Sequence, residues 1–472
     1  MKRIKIIFVA LISFTFTPAE IKLPAIFADN MLLQQQTDVN MWGKATPDKK
    51  VNVITGWNLR RYTDTADKAG NWKLSFATPK AGGPYTIVLS DGEIMTLKNV
   101  MIGELWLCTG QSNMEMPMKG FKNQQVEGSN MDILKSTNPE LRLFTVKRHS
   151  TLDAQTDVTG HWEVANPESV SGFSATGYYF GRLLQQTLHV PVGLVLSSWG
   201  GSCIEAWMNE DMLRAFPSIR IPKTPADIKE PNRTPTTLYQ GMINPIVGLT
   251  IKGIIWYQGE SNYDRPESYV ALFKTMVDSW RKNWGQKDTI PFYYCQIAPY
   301  DYSLITSKGK EVINSAYLRE AQMKAESIIP KSGMAVLLDA GYEKGIHPPK
   351  KQVAGERLAL LALTNTYGIK GIRSESPVYK GIEIKGDTVI VSFDRAPMWI
   401  SAKGFTSRLF TVAGEDKVFH PANAWIERSK MYVKCDAVKK PVAVRYAFDN
   451  YVQGDLYGSD GLPVSSFRSD NW

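Results

Sequence analysis

Three short loops in the middle of the chain hold the residues best suited to catalysis. The first, Gly110-Gln111-Ser112-Asn113-Met114, follows an apolar run that ends at Cys108. A serine in a tight turn led by glycine, at the end of a strand, can present its hydroxyl and direct its own N–H toward an oxyanion. Met114 stands where the nucleophile elbow G-x-S-x-G requires glycine, which argues against an α/β-hydrolase. Taken alone, Ser112 is more typical of a helix N-cap.

Two further loops follow strand-like segments and carry groups that suit the same chemistry. Gly200-Gly201 lets the backbone approach a bound group with its N–H groups pointing inward, although a plain turn explains this pair as well. The segment Trp256–Asn262 places several polar side chains at the end of an apolar run. Burying polar side chains there is costly unless they form hydrogen bonds, which suggests a functional role. Gln258 or Asn262 could donate an amide hydrogen bond to a developing negative charge.

A serine nucleophile needs a general base, and histidine is the first candidate. Of the five histidines, only His347 lies in a loop that enters a helix late in this region, the helix predicted over 351–363. A single histidine is more often structural, so His347 is a candidate general base only in combination with Ser112.

The longest motifs resemble one enzyme family. The segments Gly110–Pro117, Trp256–Asn262 and Ile346–Pro348 are similar to the signature blocks of the sialate O-acetylesterases, which belong to the SGNH (GDSL-like) hydrolases. Flanking segments at Leu23–Gln34, Gly461–Pro463 and Phe467–Arg468 match as well. The resemblance therefore extends over nearly all of the chain after its first 20 residues.

This resemblance implies a reaction and a set of residue roles. Ser112 would attack an acetyl ester and His347 would act as general base, with no metal and no cofactor. The oxyanion hole would be formed by the Ser112 N–H, the Gly201 N–H and the Gln258 side chain, and neighbouring groups would be oriented by Glu260 and Asn262. The substrate would be an O-acetylated sugar, either sialic acid or an acetylated polysaccharide.

The chain departs from the family pattern at the acid that orients the histidine. SGNH enzymes usually carry aspartate three residues before the histidine, and that position is Lys344 here; two residues before, it is Gly345. Glu343 is the preferred substitute, Asp339 is an alternative, and a Ser–His dyad oriented by a backbone carbonyl is a third. The acid of a serine triad is worth about 10⁴ in rate.

The elements that position these loops fall into three regions. Alternation with period two and regular turns predict a β-sandwich-like domain over 21–99. Alternating apolar strands and amphipathic helices over 100–370 predict a mainly parallel α/β sheet, which the family resemblance makes a three-layer α/β/α domain. Within it, 120–170 is interpreted as an irregular insertion. Period two returns over 371–472 and predicts a second β-domain, again β-sandwich-like.

Composition and charge exclude several classes of protein. The 472 residues carry a net charge of +9, but no basic stripe concentrates it, which argues against nucleic-acid binding. Residues 1–20 have the pattern of a signal peptide, and no later run is apolar enough to span a bilayer, so we expect an exported, periplasmic or extracellular protein. Cys108, Cys203, Cys295 and Cys435 show no metal-binding spacing and are interpreted as buried free thiols.

Two other functions remain open from the residues alone. A non-catalytic glycan-binding protein would explain the missing aspartate, and a glycosidase could use Glu115 with Glu260. Substrate specificity is expected in the loops over 120–170 and 205–240. Trp199, Trp207 and Tyr263 are candidates to stack on a sugar ring.

Overall fold

A computed structural model describes residues 21–402, 404, 406–427 and 430–472. The predicted signal peptide, 1–20, lies outside the described residues. The fold is mixed α/β, with β-strands at both ends of the chain and an α/β region between them. Among the helices that the structure describes, none is both long and apolar enough to cross a membrane.

The N-terminal region consists of strands, as the period of two predicts. They are β1 (Leu32–Gln34), β2 (Asp38–Lys44), β3 (Lys50–Thr55), β4 (Arg61–Thr65), β5 (Asn71–Ala77), β6 (Gly82–Ser90) and β7 (Ile94–Gly110). In β5 the apolar side chains of Trp72, Leu74 and Phe76 are buried while their neighbours are exposed. Strand β2 pairs antiparallel with β5, and β3 pairs with both β4 and β6.

Strand β7 joins this region to the next without a break. Its first part, from Ile94 to Ile102, pairs antiparallel with β6. From Glu104 onward the same strand forms parallel ladders in the central sheet. The predicted boundary at residue 99 therefore falls inside a continuous strand of 17 residues.

The middle region alternates strands and helices. In chain order it contains α1 (Ser112–Glu115), α2 (Ser129–Leu134), β8 (Asn138–Thr145), β9 (Trp162–Ala165), α3 (Pro167–Gly172), α4 (Ala175–Leu188), β10 (Val192–Ser198), α5 (Glu210–Leu213), β11 (Gly253–Tyr257), α6 (Pro266–Trp284), β12 (Phe292–Cys295), α7 (Ala316–Ile328), β13 (Ser332–Ala335) and α8 (Lys351–Asn365). The strand order is β13-β12-β11-β7-β10-β8-β9, parallel throughout except for β9.

Helices cover both faces of this sheet. Trp106 and Cys108 of β7 pack in one core with α4 and α8, whereas Leu105 and Leu107 pack in a second core with α6 and α7. Successive side chains of a strand point to opposite faces, so a strand buried on both sides needs an apolar residue at every position. The near-continuous apolar runs of the sequence have this origin.

The interpretation of 120–170 as an irregular insertion is wrong in part. Strand β8 lies inside the sheet, between β10 and β9, and α2, β9 and the start of α3 also fall in this segment, whose longest irregular stretch is 146–161. The apolar run of β8 is interrupted by Arg142, which is 2% exposed. Its guanidinium donates to the carbonyl oxygens of Pro139, Asn30 and Asn99, which satisfy the buried donors. A strand with a buried arginine has no clear apolar signal.

The C-terminal region is rich in strands, as predicted. They are β14 (Val378–Lys385), β15 (Thr388–Asp394), β16 (Ile400–Ala402), β17 (Thr406–Ala413), β18 (Phe419–Glu427), β19 (Lys430–Lys434), β20 (Ala443–Tyr446), β21 (Leu456–Gly458) and β22 (Phe467–Arg468). Rather than the expected β-sandwich-like arrangement, seven of them form one antiparallel sheet, and β16 pairs with β21 alone. The buried Arg319 of α7 donates to Ser466 Oγ at 3.1 Å and so ties this region to the central one.

Candidate active site

The three predicted loops leave the same edge of the central sheet. In the parallel ladders, Gly110 at the end of β7 is paired with Ser198 of β10 on one side and with Tyr257 of β11 on the other. The carboxyl ends of three adjacent strands therefore lie at one level, as the sequence indicates. This edge is where parallel sheets bind ligands.

The turn that presents Ser112 depends on Gly110. This residue has φ +136°, and a Cβ added to it would lie 2.2 Å from the carbonyl oxygen of Tyr257. The next residue, Gln111, donates its N–H to that same carbonyl oxygen at 2.9 Å. The Gln111 side-chain oxygen accepts the N–H groups of Gly259 and Ser261, both at 3.2 Å. Backbone and side chain together hold the first loop against the third.

Ser112 begins the single turn of α1 and is 8% exposed. In the described part of the chain, its N–H has no protein acceptor, and the same holds for the N–H of Gly201. The loop that carries Gly201 lies against the serine, since a Cβ added at Gly200 would approach the Ser112 Cβ to 3.2 Å. The Gly200 N–H donates to Glu115 Oε2 at 2.7 Å, which fixes this loop.

Gln258 is fully buried and its amide is already engaged. Its Nε2 donates to the Ser202 carbonyl oxygen at 3.1 Å and to Asn262 Oδ1 at 2.7 Å, and its Oε1 accepts from the Tyr269 hydroxyl. Both amide hydrogens are thus used within the loops. The expected donation from Gln258 to an oxyanion would require one of these bonds to break. Asn262 Oδ1 also accepts from the Ile204 N–H at 3.0 Å.

Beneath the serine turn lies a buried group of three polar side chains. Asn113 Nδ2 donates to Glu260 Oε1 at 2.5 Å and to the Ile346 carbonyl oxygen at 3.0 Å. Asn113 Oδ1 accepts from the ammonium of Lys351, which is 1% exposed. Burial raises the pKa of Glu260, and burial lowers the pKa of Lys351 to about 7 against the opposing effect of Glu260. The only sequence signal for Lys351 is a cation at a helix N-terminus, where it opposes the helix dipole.

His347 is brought to the serine turn by its neighbours in the chain. The bond from Asn113 to Ile346 joins the residue after the serine to the residue before the histidine. Within the described residues, Ser112 and His347 share no direct hydrogen bond. The imidazole Nδ1 contacts the side-chain oxygen of Gln124, and its ring meets the edge of Phe121 at 5.3 Å. Burial and the positive charge of Lys351 lower the pKa of His347 to about 4.

The carboxylates expected to orient His347 are placed elsewhere. Asp339 accepts two hydrogen bonds from Arg357, at 2.6 and 2.8 Å, and is committed to that ion pair. Glu343 is exposed, and no hydrogen bond joins its carboxylate to the imidazole in the part of the chain that the structure describes. The position that either acid was expected to fill is taken by Gln124. Nothing in the sequence marks Gln124, because it lies in the 120–170 segment and outside the motifs that resemble the family.

A small cavity lies beside the serine turn. Its volume is about 280 Å³, and its lining includes Glu115, Phe121, Arg148 and Ser198. Arg148 pairs with Glu115 at 2.6 Å and lies over the ring of Trp199 at 5.6 Å. In the described structure, Ser198 Oγ is buried and has no hydrogen-bond partner. The cavity therefore offers both an apolar wall and polar groups.

The other predicted site residues are less accessible. Trp207 is completely buried and donates to Ser202 Oγ at 2.9 Å, so the prediction that it stacks on a sugar is wrong. Tyr263 is partly exposed and stacks on Tyr302 at 4.0 Å. Glu115 is held by Arg148, and Glu260 is 4% exposed, so these two do not form an open pair of glycosidase carboxylates. The four cysteines are free and buried, as predicted.

Comparison with known proteins shows the family of this chain. Residues 102–352 match the family model described as carbohydrate esterase, sialic acid-specific acetylesterase. A carbohydrate acetylesterase from Xanthomonas citri, known from its crystal structure, is 35% identical and has a TM-score of 0.86, covering 96% of this chain and 100% of its own. Sialate O-acetylesterases of mouse and human are each 28% identical. The mouse alignment covers 76% of both chains, and the human alignment 75% of this chain and 73% of the relative.

The fold and the site define an α/β enzyme whose candidate active site lies at the carboxyl edge of a parallel sheet, and this enzyme is an esterase. The chain belongs to the carbohydrate esterase family of sialic acid-specific acetylesterases, as its sequence motifs indicate. Membership favours the esterase over the glycan-binding and glycosidase alternatives.

Proposed function

We propose that this protein is a serine esterase of the SGNH type that removes acetyl groups from O-acetylated sugars. The observation that carries the proposal is the placement of Ser112. It follows the end of β7 and keeps 8% of its surface exposed, and among the described residues neither its own N–H nor that of Gly201, on the loop packed against it, has a protein acceptor. A serine hydroxyl with two backbone donors left for an oxyanion is what acyl transfer requires.

The reaction follows from these groups. Ser112 Oγ attacks the acetyl carbonyl carbon while His347 takes the hydroxyl proton. The tetrahedral oxyanion accepts hydrogen bonds from the N–H groups of Ser112 and Gly201. His347 then returns the proton to the sugar oxygen, which leaves as an alcohol. Water, deprotonated by His347, then attacks the acetyl-serine, and acetate is released as His347 returns this proton to Ser112 Oγ.

Gln124 supports His347 in the place where serine esterases usually have a carboxylate. A neutral imidazole that faces the Gln124 amide oxygen carries its proton on Nδ1, so Nε2 holds the lone pair needed for a base. The machinery is then a Ser–His dyad oriented by a side-chain carbonyl. An uncharged partner stabilises imidazolium less than a carboxylate does, in keeping with the low pKa of His347.

The sugar is proposed to bind over the cavity beside Ser112. Its lining residues Phe121 and Arg148 belong to 120–170, the segment expected to set specificity, and Trp199 adds a partly exposed aromatic face. The relatives named sialate O-acetylesterase suggest O-acetylated sialic acid, and the bacterial carbohydrate acetylesterase suggests other acetylated glycans. Both classes are included in the test.

The decisive experiment measures acetate release from O-acetylated sialic acid, xylan and pectin fragments. Wild type is compared with Ser112→Ala and with Ser171→Ala, a control at a serine of the nearby helix α3. We expect Ser112→Ala to lower kcat by at least about 10³-fold, while Ser171→Ala stays close to wild type. Full activity in Ser112→Ala would overturn the mechanism.

Export is proposed from the N-terminal pattern alone. The basic start followed by a short apolar run supports a signal peptide over residues 1–20. Expression of the full chain with a C-terminal tag, followed by N-terminal sequencing of the exported fraction, tests this. An uncleaved protein confined to the cytoplasm would contradict it.

A further inference from the structure

The mechanism above makes no use of Lys351, although this lysine is among the most deeply buried charged groups of the site. It is the first residue of α8, and its ammonium donates to Asn113 Oδ1. Burying an ammonium costs several kcal/mol unless it is paired and hydrogen-bonded. Lys351 contacts Asn113, the residue that follows the proposed nucleophile in the chain. A burial this costly, this close to Ser112, indicates a function for the lysine.

The amide of Asn113 stands between two opposite charges. Its NH₂ group faces the carboxylate of Glu260, and its oxygen faces the ammonium of Lys351. A flipped amide would direct its oxygen at the carboxylate and its NH₂ at the ammonium, and both contacts would be repulsive. The two charges therefore allow one orientation of the amide and exclude the other.

The orientation of this amide matters because its second hydrogen holds the histidine loop. Asn113 Nδ2 also donates to the Ile346 carbonyl oxygen at 3.0 Å. If the amide flipped or turned away, the loop carrying His347 would lose its bond to the serine turn. The three charged and polar side chains come from three different elements: the turn after β7, the loop after β11 and the start of α8.

We propose that Lys351 is a positioning residue: together with Glu260 it locks the Asn113 amide so that the loop bearing His347 is held beside Ser112. This inference rests on the proposed esterase function. It attributes the placement of His347 beside Ser112 to a buried charge pair that is bridged by one amide. Misplacement of a base by about 1 Å can lower a rate by about 10²-fold.

The charge of Lys351 also acts on His347 directly. The groups that face the ammonium are the Glu260 carboxylate, the Cys295 thiol of β12 and the face of the Tyr257 ring at 5.9 Å. The imidazole faces the ring of Phe121 and the amide of Gln124, which are both uncharged. Burial is the larger cause of the low pKa of His347 and the positive charge of Lys351 adds to it, so removal of Lys351 should make the imidazole easier to protonate.

The test compares Lys351→Met with Lys350→Met, a matched control at the adjacent, exposed lysine. We expect Lys351→Met to lower kcat by about 10²-fold with little change in KM, and Lys350→Met to leave both unchanged. The acid limb of the kcat/KM profile should also move to higher pH, which a purely structural loss would not produce. Wild-type kcat and an unmoved acid limb in Lys351→Met would overturn the proposal.

Two further measurements separate this inference from the proposed function. The titration of the His347 ring protons by NMR needs no substrate, so an upward shift in Lys351→Met is observable even if acetyl esters are not cleaved. If Lys351→Met does not fold, Glu260→Gln with Lys351→Met removes both buried charges and keeps the pocket neutral. Wild-type kcat and an unshifted His347 titration in that double variant would refute the positioning role, whereas loss of kcat with a native melting temperature would support it.

Discussion

Replacing Gln124 with glutamate tests whether this side chain orients the catalytic base. In the wild type, the oxygen of the Gln124 amide meets His347 Nδ1. In Gln124→Glu, a carboxylate takes that position and stabilises imidazolium, which raises the pKa of His347 from its value of about 4. Because the base must be neutral to accept the serine proton, activity is present above this pKa and is lost below it.

The magnitude follows from the geometry. A carboxylate in contact with a cationic group moves a pKa by about 1–3 units, and the exposed position of Gln124 favours the lower end of that range. Each unit lowers kcat/KM about tenfold at pH values below both pKa values. Well above them the base is neutral in both proteins, and the variant should equal or exceed the wild type.

The assay is kcat/KM for acetate release between pH 3.5 and 8, on wild type, Gln124→Glu and Gln125→Glu. Gln125 is also exposed and lies next to Gln124, so its variant adds the same charge without reaching the imidazole. We expect the acid limb of the wild type near pH 4, a higher acid limb in Gln124→Glu and none of this shift in Gln125→Glu. Identical acid limbs in all three proteins would refute the assignment of Gln124.

Further predictions concern the loops and the buried charges around the site. Gly200→Ala would place a methyl group 3.2 Å from the Ser112 Cβ, and we expect kcat to fall while the melting temperature stays near that of wild type; an unchanged kcat would contradict the packing of this loop on the serine. Asp339→Asn breaks the paired bond to Arg357, so the melting temperature should fall while the acid limb of kcat/KM is unmoved; a moved limb would restore Asp339 as the orienting acid. The pKa of Lys351 in the folded protein lies below its value in the unfolded chain, so the unfolded chain binds more protons between about pH 7 and 10. The free energy of unfolding of wild type should therefore rise relative to that of Lys351→Met as the pH rises over this interval. Urea unfolding of both proteins at pH 7 and at pH 10 measures this difference.

Strands and loops that carry a local sequence pattern could be predicted without the structure. Strands β10 and β11 and the part of β7 from Val100 onward are apolar at most positions because both of their faces are covered, and such runs are visible in the chain. The polar and glycine residues that end these strands mark the loops, so Ser112 and Gly201 are found by their position after a strand. Gly110 is also readable, because only glycine tolerates the turn that the serine requires.

Which side chains contact one another around His347 could be seen only in the folded structure. Gln124 lies 223 residues from His347 in the chain, and Lys351 lies 238 residues from Asn113. Hydrogen bonds over such separations leave no periodic pattern, since each partner is placed by a different element of the fold. Strand β8 was not predicted for the same reason. The partners that allow its Arg142 to be buried include Asn30 and Asn99, which are distant in the chain. Local patterns thus locate the proposed nucleophile, whereas only the folded chain shows which side chain meets the proposed base.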